Sequence, residues 1–211
     1  GPVSTVTIVF SVASSLIAVS FALFHYRRHG HVHPWRAFLS YSFVYYLIAA
    51  LFLVVLPLPE RPVGAQEVAA WHQRYAELTT PRLDPTGFVK DLLAAADGAE
   101  RNRALAQIVF NVLLLAPFGL WLVYVFRRPL AVVPLFGLVL SLFFEICQLT
   151  GDFGLYPGPY RLFDTGDLVL NTTGTLLGGL AARLLMRLGA LPRLEDLKGP
   201  VDPWIGPFRR A

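Results

Sequence analysis

The stretch LAQIVFNVLLLAPFGLWLVYVF at residues 105–126 and the stretch LAVVPLFGLVLSLFFEICQLT at residues 130–150 decide the fold of this chain. Glu145 carries their only charged side chain. Each stretch has about the 20 residues that an α-helix needs to cross a hydrocarbon layer roughly 30 Å thick. We expect both to be membrane-spanning helices, because backbone polar groups in lipid must be hydrogen-bonded within their own segment.

Three further apolar stretches have a similar length. In chain order the five are segment 1 (residues 4–24), segment 2 (37–56), segment 3 (105–126), segment 4 (130–150) and segment 5 (168–188). Of the 211 residues, 55% are hydrophobic and only 15% are charged, which is too few polar side chains to coat a soluble globule. The sequence predicts an all-α, polytopic membrane helical bundle of about five transmembrane helices and argues against a soluble enzyme.

Basic residues follow segments 1, 3 and 5, whereas the links after segments 2 and 4 carry more acidic than basic side chains. The basic residues are Arg27, Arg28 and Arg36; Arg127 and Arg128; and Arg187, Arg193, Lys198, Arg209 and Arg210. Because basic links remain in the cytoplasm, we expect the amino terminus outside and the carboxyl terminus inside the cell. The net charge of +4 then follows from topology, and nucleic-acid binding is not needed to explain it.

The sequence divides into four predicted parts. Residues 1–2 resemble the remnant of a cleaved tag, and residues 3–36 hold an extra helix with a basic cytoplasmic link. Residues 37–188 are expected to form a four-helix membrane domain, and residues 189–211 a cytoplasmic tail. The membrane domain includes an extracytoplasmic link, residues 57–104. In this link, residues 65–78 place apolar side chains at helical spacing, and Thr86 is positioned to cap a second short helix. We expect both short helices to cover the outer ends of the spans.

Polar side chains collect near the outer ends of segments 3, 4 and 5. At 1.5 Å per residue, Asn111 lies about 9 Å, Glu145 about 7 Å and Asn171 about 6 Å inside these ends. Spacings of three and four residues make one stripe on segment 4 and another on segment 5. The stripes are Ser141, Glu145 and Gln148, and Asp164, Asp167, Asn171, Gly174 and Gly178.

Such stripes avoid lipid, so they should face each other or a water-filled pocket, with Arg161 as a counter-ion. The predicted ligand-binding residues are Asn111, Ser141, Glu145, Gln148, Arg161, Asp164, Asp167 and Asn171, and the candidate catalytic residues are Glu145, Asp164 and Asp167.

Structural roles compete with these assignments. Gly174 and Gly178 form a small-residue face that lets two membrane helices approach closely. Asp164 and Asp167 stand where an aspartate caps a helix. For Glu145 a functional role is favoured, because an unpaired carboxyl in a span stabilises little.

The sequence predicts no metal site and no cofactor. The histidines of the first cytoplasmic link, His25, His29, His31 and His33, lack a rigid frame. Cys147, the single cysteine, has no histidine in its span to activate it, so we assign it to core packing.

Several of these positions recur in order in a known family. The positions are Asn111, Pro117-Phe118-Gly119, Ser141, Glu145, Gln148, Arg161, Asp164, Asp167, Asn171, Gly174 and Gly178. Together they resemble the VanZ family of bacterial membrane proteins, from about Leu105 to Leu188, with segment 2 as the family's first helix and segment 1 as an addition. The resemblance implies the bacterial cytoplasmic membrane and, for the founding member, resistance to the lipoglycopeptide antibiotic teicoplanin. It names no reaction.

The leading hypothesis is binding. An outward-facing polar pocket would accept part of an amphiphile, either a membrane lipid, a lipid-linked cell-wall precursor or a lipoglycopeptide antibiotic. The alternative is an intramembrane enzyme for a lipid-linked substrate, with Glu145 as general base and Asp164 or Asp167 as acid or metal ligand. A scaffold or transporter component is a third hypothesis, although the inner halves of the spans look apolar.

Overall fold

The structure is a computed structural model that describes residues 34–55 and 60–194, together with the helical positions Val12, Ser15, Leu16, Val19 and Ser20. The rest of segment 1, the histidines of the first link and the tail after residue 194 lie outside these residues. The chain divides into two compact units, residues 1–49 with 184–211, and residues 50–183. All eight predicted ligand-binding residues belong to the second unit.

The described α-helices confirm the all-α class. They are α1 (Pro34–Val55), α2 (Ala65–Arg74), α3 (Gly87–Ala94), α4 (Gly98–Tyr124), α5 (Val133–Leu149) and α6 (Thr165–Arg187), with 3₁₀ turns at Ala76–Thr79 and Leu130–Val132. In the described part of the chain, four helical stretches are long and apolar enough to cross a membrane, those of α1, α4, α5 with its preceding 3₁₀ turn, and α6. They coincide with segments 2 to 5.

The distribution of polarity in α5 is the reverse of that in a water-soluble helix. Its exposed side chains include Leu135, Val139 and Phe143, whereas Ser141, Glu145 and Gln148 are buried. Apolar exposure with polar burial is the arrangement that a lipid environment selects, because a polar group facing lipid has no partner. The protein is therefore a multi-pass membrane protein.

Helix α4 begins about two turns before the apolar stretch that reveals it in the sequence. Its first turn is polar and is capped, since Asp97 Oδ1 accepts from the backbone N–H of Glu100 at 2.8 Å. Glu100 in turn accepts from the N–H of Ala96 at 2.8 Å. The Asp97 carboxylate thus satisfies one of the free N–H donors at the helix start, and the Glu100 carboxylate holds the residue that precedes the cap.

Helices α4 and α6 touch through their backbones at glycines. A Cβ atom added at Gly174 would collide with the carbonyl of Val112, and one added at Gly178 would collide with that of Ala116. A Cβ at Gly119 would likewise meet the carbonyl of Thr175. Helix packing therefore accounts for both stripe glycines.

The link between α1 and α4 is partly helical, as predicted. Thr86 does stand just before α3, but its hydroxyl makes no capping bond to the helix. Instead, the hydroxyl donates to Asp84 Oδ1 at 2.7 Å. Lys90 also donates to Asp84, at 2.5 Å. These bonds hold the pKa of Asp84 below its usual range, with Lys90 as the main cause.

A left-handed turn, Gly151–Gly154, follows α5. All four residues have positive φ angles, including Asp152 at 55° and Phe153 at 57°. Non-glycine residues rarely adopt this conformation, which costs about 1 kcal/mol or more at each. The turn places Asp152 where its carboxylate accepts from the hydroxyl of Tyr160 at 2.6 Å.

Candidate functional site

The site is built around the junction between the end of α5 and the start of α6. Glu145 is 3% exposed, and its Oε2 accepts from the backbone N–H of Asp164 at 3.0 Å. Asp164 immediately precedes α6, and its Oδ1 accepts from the N–H of Gly166 at 2.7 Å. The side chain of Asp164 therefore caps α6, as the sequence allowed, and its backbone N–H links the capped end of the helix to Glu145.

About two turns further along α6, Asn171 connects the same two helices. Its Nδ2 donates to Ser141 Oγ at 2.9 Å. Ser141 and Glu145 are four residues apart on α5, so the Asn171 amide is directed at the α5 face that carries Glu145. Asn171 is 3% exposed, and its Oδ1 has no hydrogen-bond partner. A buried amide oxygen without a donor is unusual and requires an explanation.

Asp167 links α6 to α4 rather than capping its own helix. Its Oδ1 accepts from Asn111 Nδ2 at 2.5 Å and from Gln107 Nε2 at 3.5 Å. Gln107 is a site residue that the sequence analysis missed. Its position four residues before Asn111, on the same face of α4, is the signal that would have identified it.

These contacts bring together most of the predicted residues. We name Asn111, Ser141, Glu145, Asp164, Asp167 and Asn171 the junction cluster. Their hydrogen bonds join α4, α5 and α6 over about two turns of α6.

Two predicted site residues stand beside the junction cluster. Gln148 is buried but donates to the carbonyl oxygen of Val54, at 3.3 Å, so its amide ties α5 to the end of α1. Arg161 is half-buried in the loop before α6, and its charge acts on Glu145. The counter-ion role of Arg161 stays a prediction.

Arg82, which the sequence analysis did not single out, fastens the link to the junction cluster. Its backbone N–H donates to Phe163 O at 2.8 Å, and its carbonyl accepts from the N–H of Thr165 at 3.0 Å, forming a parallel bridge with Asp164. Its guanidinium lies 3.5 Å from Asp164 Oδ2 and makes two bonds to Asp91, of 2.6 and 2.8 Å. The link thus packs on the start of α6.

The charged groups around Arg82 shift one another's pKa values. The bonds to Asp91 raise the pKa of Arg82, and the same guanidinium lowers the pKa of Asp91. Burial raises the pKa of Asp164, although the Gly166 N–H and Arg82 oppose that rise. Asp164 is therefore a carboxyl that its surroundings only partly compensate.

An aromatic cluster, Trp71, Tyr75, Tyr156 and Tyr160, lies where α2 meets the loop after α5. The rings of Trp71 and Tyr156 are stacked with centroids 5.3 Å apart, and His72 Nε2 lies 3.2 Å from Pro157 O. Burial and the bond to Asp152 raise the pKa of Tyr160. These contacts join the link to the loop at a second place.

The junction cluster supplies carboxyl and amide groups, whose chemistry is hydrogen bonding and acid–base exchange. Across the described ranges, no three His, Cys, Asp or Glu side chains are grouped so that they could hold a metal ion. Cys147 is buried, as expected of a packing residue.

Comparison with known proteins gives one family. The VanZ/LLP1 family model matches residues 43–186, a span that includes α2 to α5, most of α1 and α6, and the whole junction cluster. Searches of curated proteins and of solved structures gave no significant match. The family model covers well over half of the chain, and the chain therefore belongs to the VanZ/LLP1 family.

Proposed function

We propose that this protein binds part of an amphiphile of the bacterial cell envelope at the junction cluster, in a polar pocket that faces the cell exterior. The observation that carries the proposal is the buried Asn171 Oδ1, which lacks a donor although it lies beside Ser141 and within a turn of other polar groups. Polar groups that serve only to join helices satisfy one another. An unsatisfied acceptor in such a place fits a ligand that completes it.

The covering link supports the same proposal. Arg82 and the aromatic cluster hold residues 60–97 against the start of α6 and the loop before it. A cover over a polar cluster excludes water and lipid tails from it, so the polar contacts made there are stronger than in water. Arg161, in the same loop, suits a phosphate or carboxylate on the ligand.

Membership of the VanZ/LLP1 family suggests the class of ligand. The ligand would be a membrane lipid, a lipid-linked cell-wall precursor or a lipoglycopeptide antibiotic of the teicoplanin type, and its capture would contribute to antibiotic resistance. In this proposal the protein lies in the cytoplasmic membrane, with its amino terminus outside and its carboxyl terminus inside.

A second candidate function is an intramembrane enzyme acting on a lipid-linked substrate. The observation in its favour is the meeting of three carboxyls with different partners. Glu145 is bonded to a backbone N–H, Asp164 to an arginine and Asp167 to amides. Carboxyls in unlike environments can divide the roles of acid and base.

The substitution Glu145→Gln tests the proposed function. It keeps the shape of the side chain and removes its charge, so tolerance of a teicoplanin-type antibiotic should fall to that of cells without the protein. Glu77→Gln, which removes an exposed carboxylate from the link, is the matched control and should leave tolerance intact. Unchanged tolerance for Glu145→Gln at normal expression would reject the proposal. Turnover of labelled lipid-linked precursor by the purified protein would select the enzyme instead.

A further inference from the structure

The acceptor atoms left open in the junction cluster define the chemistry of the ligand. Asn171 Oδ1 is buried without a partner. Among the described residues, none donates a hydrogen bond to Oε1 of Glu145 or to Oδ2 of Asp167. Each of the three side chains already uses its other polar atom. What the cluster lacks is donors.

These three acceptors belong to one small region. Asp167 and Asn171 are four residues apart, so they share one face of α6. Glu145 lies one turn from Ser141, which Asn171 contacts. The charge of Asp167 also acts on Glu145, which places the two carboxyls near each other. The three side chains therefore lie on adjoining turns of α5 and α6.

The local charge favours a cation. The carboxyls of the junction cluster are those of Glu145, Asp164 and Asp167. Within the described ranges, the cations whose charges act on Glu145, Asp164 and Asp167 are Arg82 and Arg161, and Arg82 is shared between Asp91 and Asp164. Three carboxyl groups against two guanidinium groups, one of them shared with Asp91, leave an excess of formal negative charge. Buried charge is tolerated only when it is compensated.

We propose that the group entering deepest between α5 and α6 is a primary ammonium, received by Glu145, Asp167 and Asn171. This inference rests on the proposed function and specifies its ligand. An ammonium carries three N–H donors and one positive charge, which matches three open acceptors in a region of excess negative charge. Two amphiphiles supply it, a phospholipid with an ethanolamine headgroup and a lipoglycopeptide with free amino groups.

The test compares each amphiphile with its N-acetylated form, which keeps the lipid and removes the charge. Binding to the purified full chain in phosphatidylcholine nanodiscs would be measured by native mass spectrometry. At least one free amine should bind at least about tenfold more tightly than its acetylated form, as expected for bonds to charged groups. The preference should disappear in Glu145→Gln and persist in Glu77→Gln. The amphiphile that shows this preference for the free amine is the source of the ammonium group.

The opposing outcomes separate the two proposals. Equal binding of free and acetylated forms, weakened by Glu145→Gln, would overturn the ammonium assignment and leave amphiphile binding standing. That result would mean that the carboxyls of the junction cluster are neutralised by protons and not by an ammonium group. Absence of binding in both arms would overturn the ammonium assignment and leave the lipid-linked cell-wall precursor as the remaining ligand of the proposed function. The comparison of ligands uses the unaltered protein, so it remains decisive even where a variant fails to fold.

Discussion

Asp164 shows how one residue serves both the fold and the site. Its side chain caps α6 through Gly166 and faces Arg82, while its backbone N–H donates to Glu145. The sequence presented capping and function as rival roles for this aspartate. They are compatible, because capping uses the side chain and the bond to Glu145 uses the main chain.

Two substitutions separate the roles of the Asp164 side chain. Asparagine caps helices about as well as aspartate, so Asp164→Asn should lose only the contact with Arg82, a change of roughly 0.5 kcal/mol in the free energy of unfolding. Asp164→Ala should lose about 1 kcal/mol more, because the N–H of Gly166 is left without its acceptor. Unfolding in detergent micelles measures both values. Equal losses for the two variants would show that the ion pair, not the cap, dominates.

Arg82 escaped prediction because its role depends on partners that are distant in the sequence. Arg82 is ordinary in sequence, an arginine between a proline and a leucine in a mixed-charge link. Its partners Asp91 and Asp164 lie on a separate helix and at a separate helix start. Spacing rules apply within one helix, so they reveal the stripe on α6 but not a residue that joins it from a loop.

At the scale of the elements, hydropathy located the four described spans but not all of their ends. Helix α6 begins at Thr165, a turn before segment 5, and α4 begins at Gly98, well before Leu105. In both cases the first turns are polar and are fixed by a cap, Asp164 or Asp97. A search for apolar residues detects only the part of a helix that faces lipid, and the capping residues mark where the helix starts.

The contact between α4 and α6 is the element on which the junction depends. Gly174→Ala would place a methyl group on the carbonyl of Val112 and force the helices apart. Overpacking of this kind typically lowers the free energy of unfolding by about 1–3 kcal/mol. Because Asn111 and Asp167 bond across the same interface, we also expect reduced ligand binding.

A matched control exists in the same pair of helices. Gly98, the first residue of α4, has open space where a Cβ would stand, so Gly98→Ala should leave the unfolding midpoint nearly unchanged. The comparison uses thermal unfolding of both variants in one detergent. If Gly174→Ala proved as stable as Gly98→Ala, the close approach of α4 and α6 would be wrong.

At the scale of the whole molecule, the arrangement of polarity could be anticipated because the same constraint governs every span. Lipid admits apolar surfaces, so the polar stripes had to turn inward, and Ser141, Glu145 and Asn171 do so. What could not be anticipated is which stripe atoms satisfy one another. Ser141 pairs with Asn171, whereas Glu145 pairs with a backbone N–H, and only the relative height and rotation of α5 and α6 decide that.

The orientation of the molecule gives the last prediction. Residues 60–97 and the turn before α5 lie at opposite ends of α4, so single cysteines at Glu77 and Ala131 should be labelled from opposite sides of the membrane. Both positions are exposed, and Cys147, which is buried, would be replaced by alanine in the parent.

The basic residues Arg127 and Arg128 precede Ala131, so the positive-inside rule assigns that turn to the cytoplasm. A membrane-impermeant maleimide added to intact cells, or to spheroplasts where an outer membrane intervenes, should therefore label Glu77→Cys. Ala131→Cys should react only after permeabilisation. The reverse pattern would invert the protein and turn the junction cluster toward the cytoplasm. It would then be out of reach of an antibiotic that acts outside the cell, and the ligand would have to come from the inner leaflet.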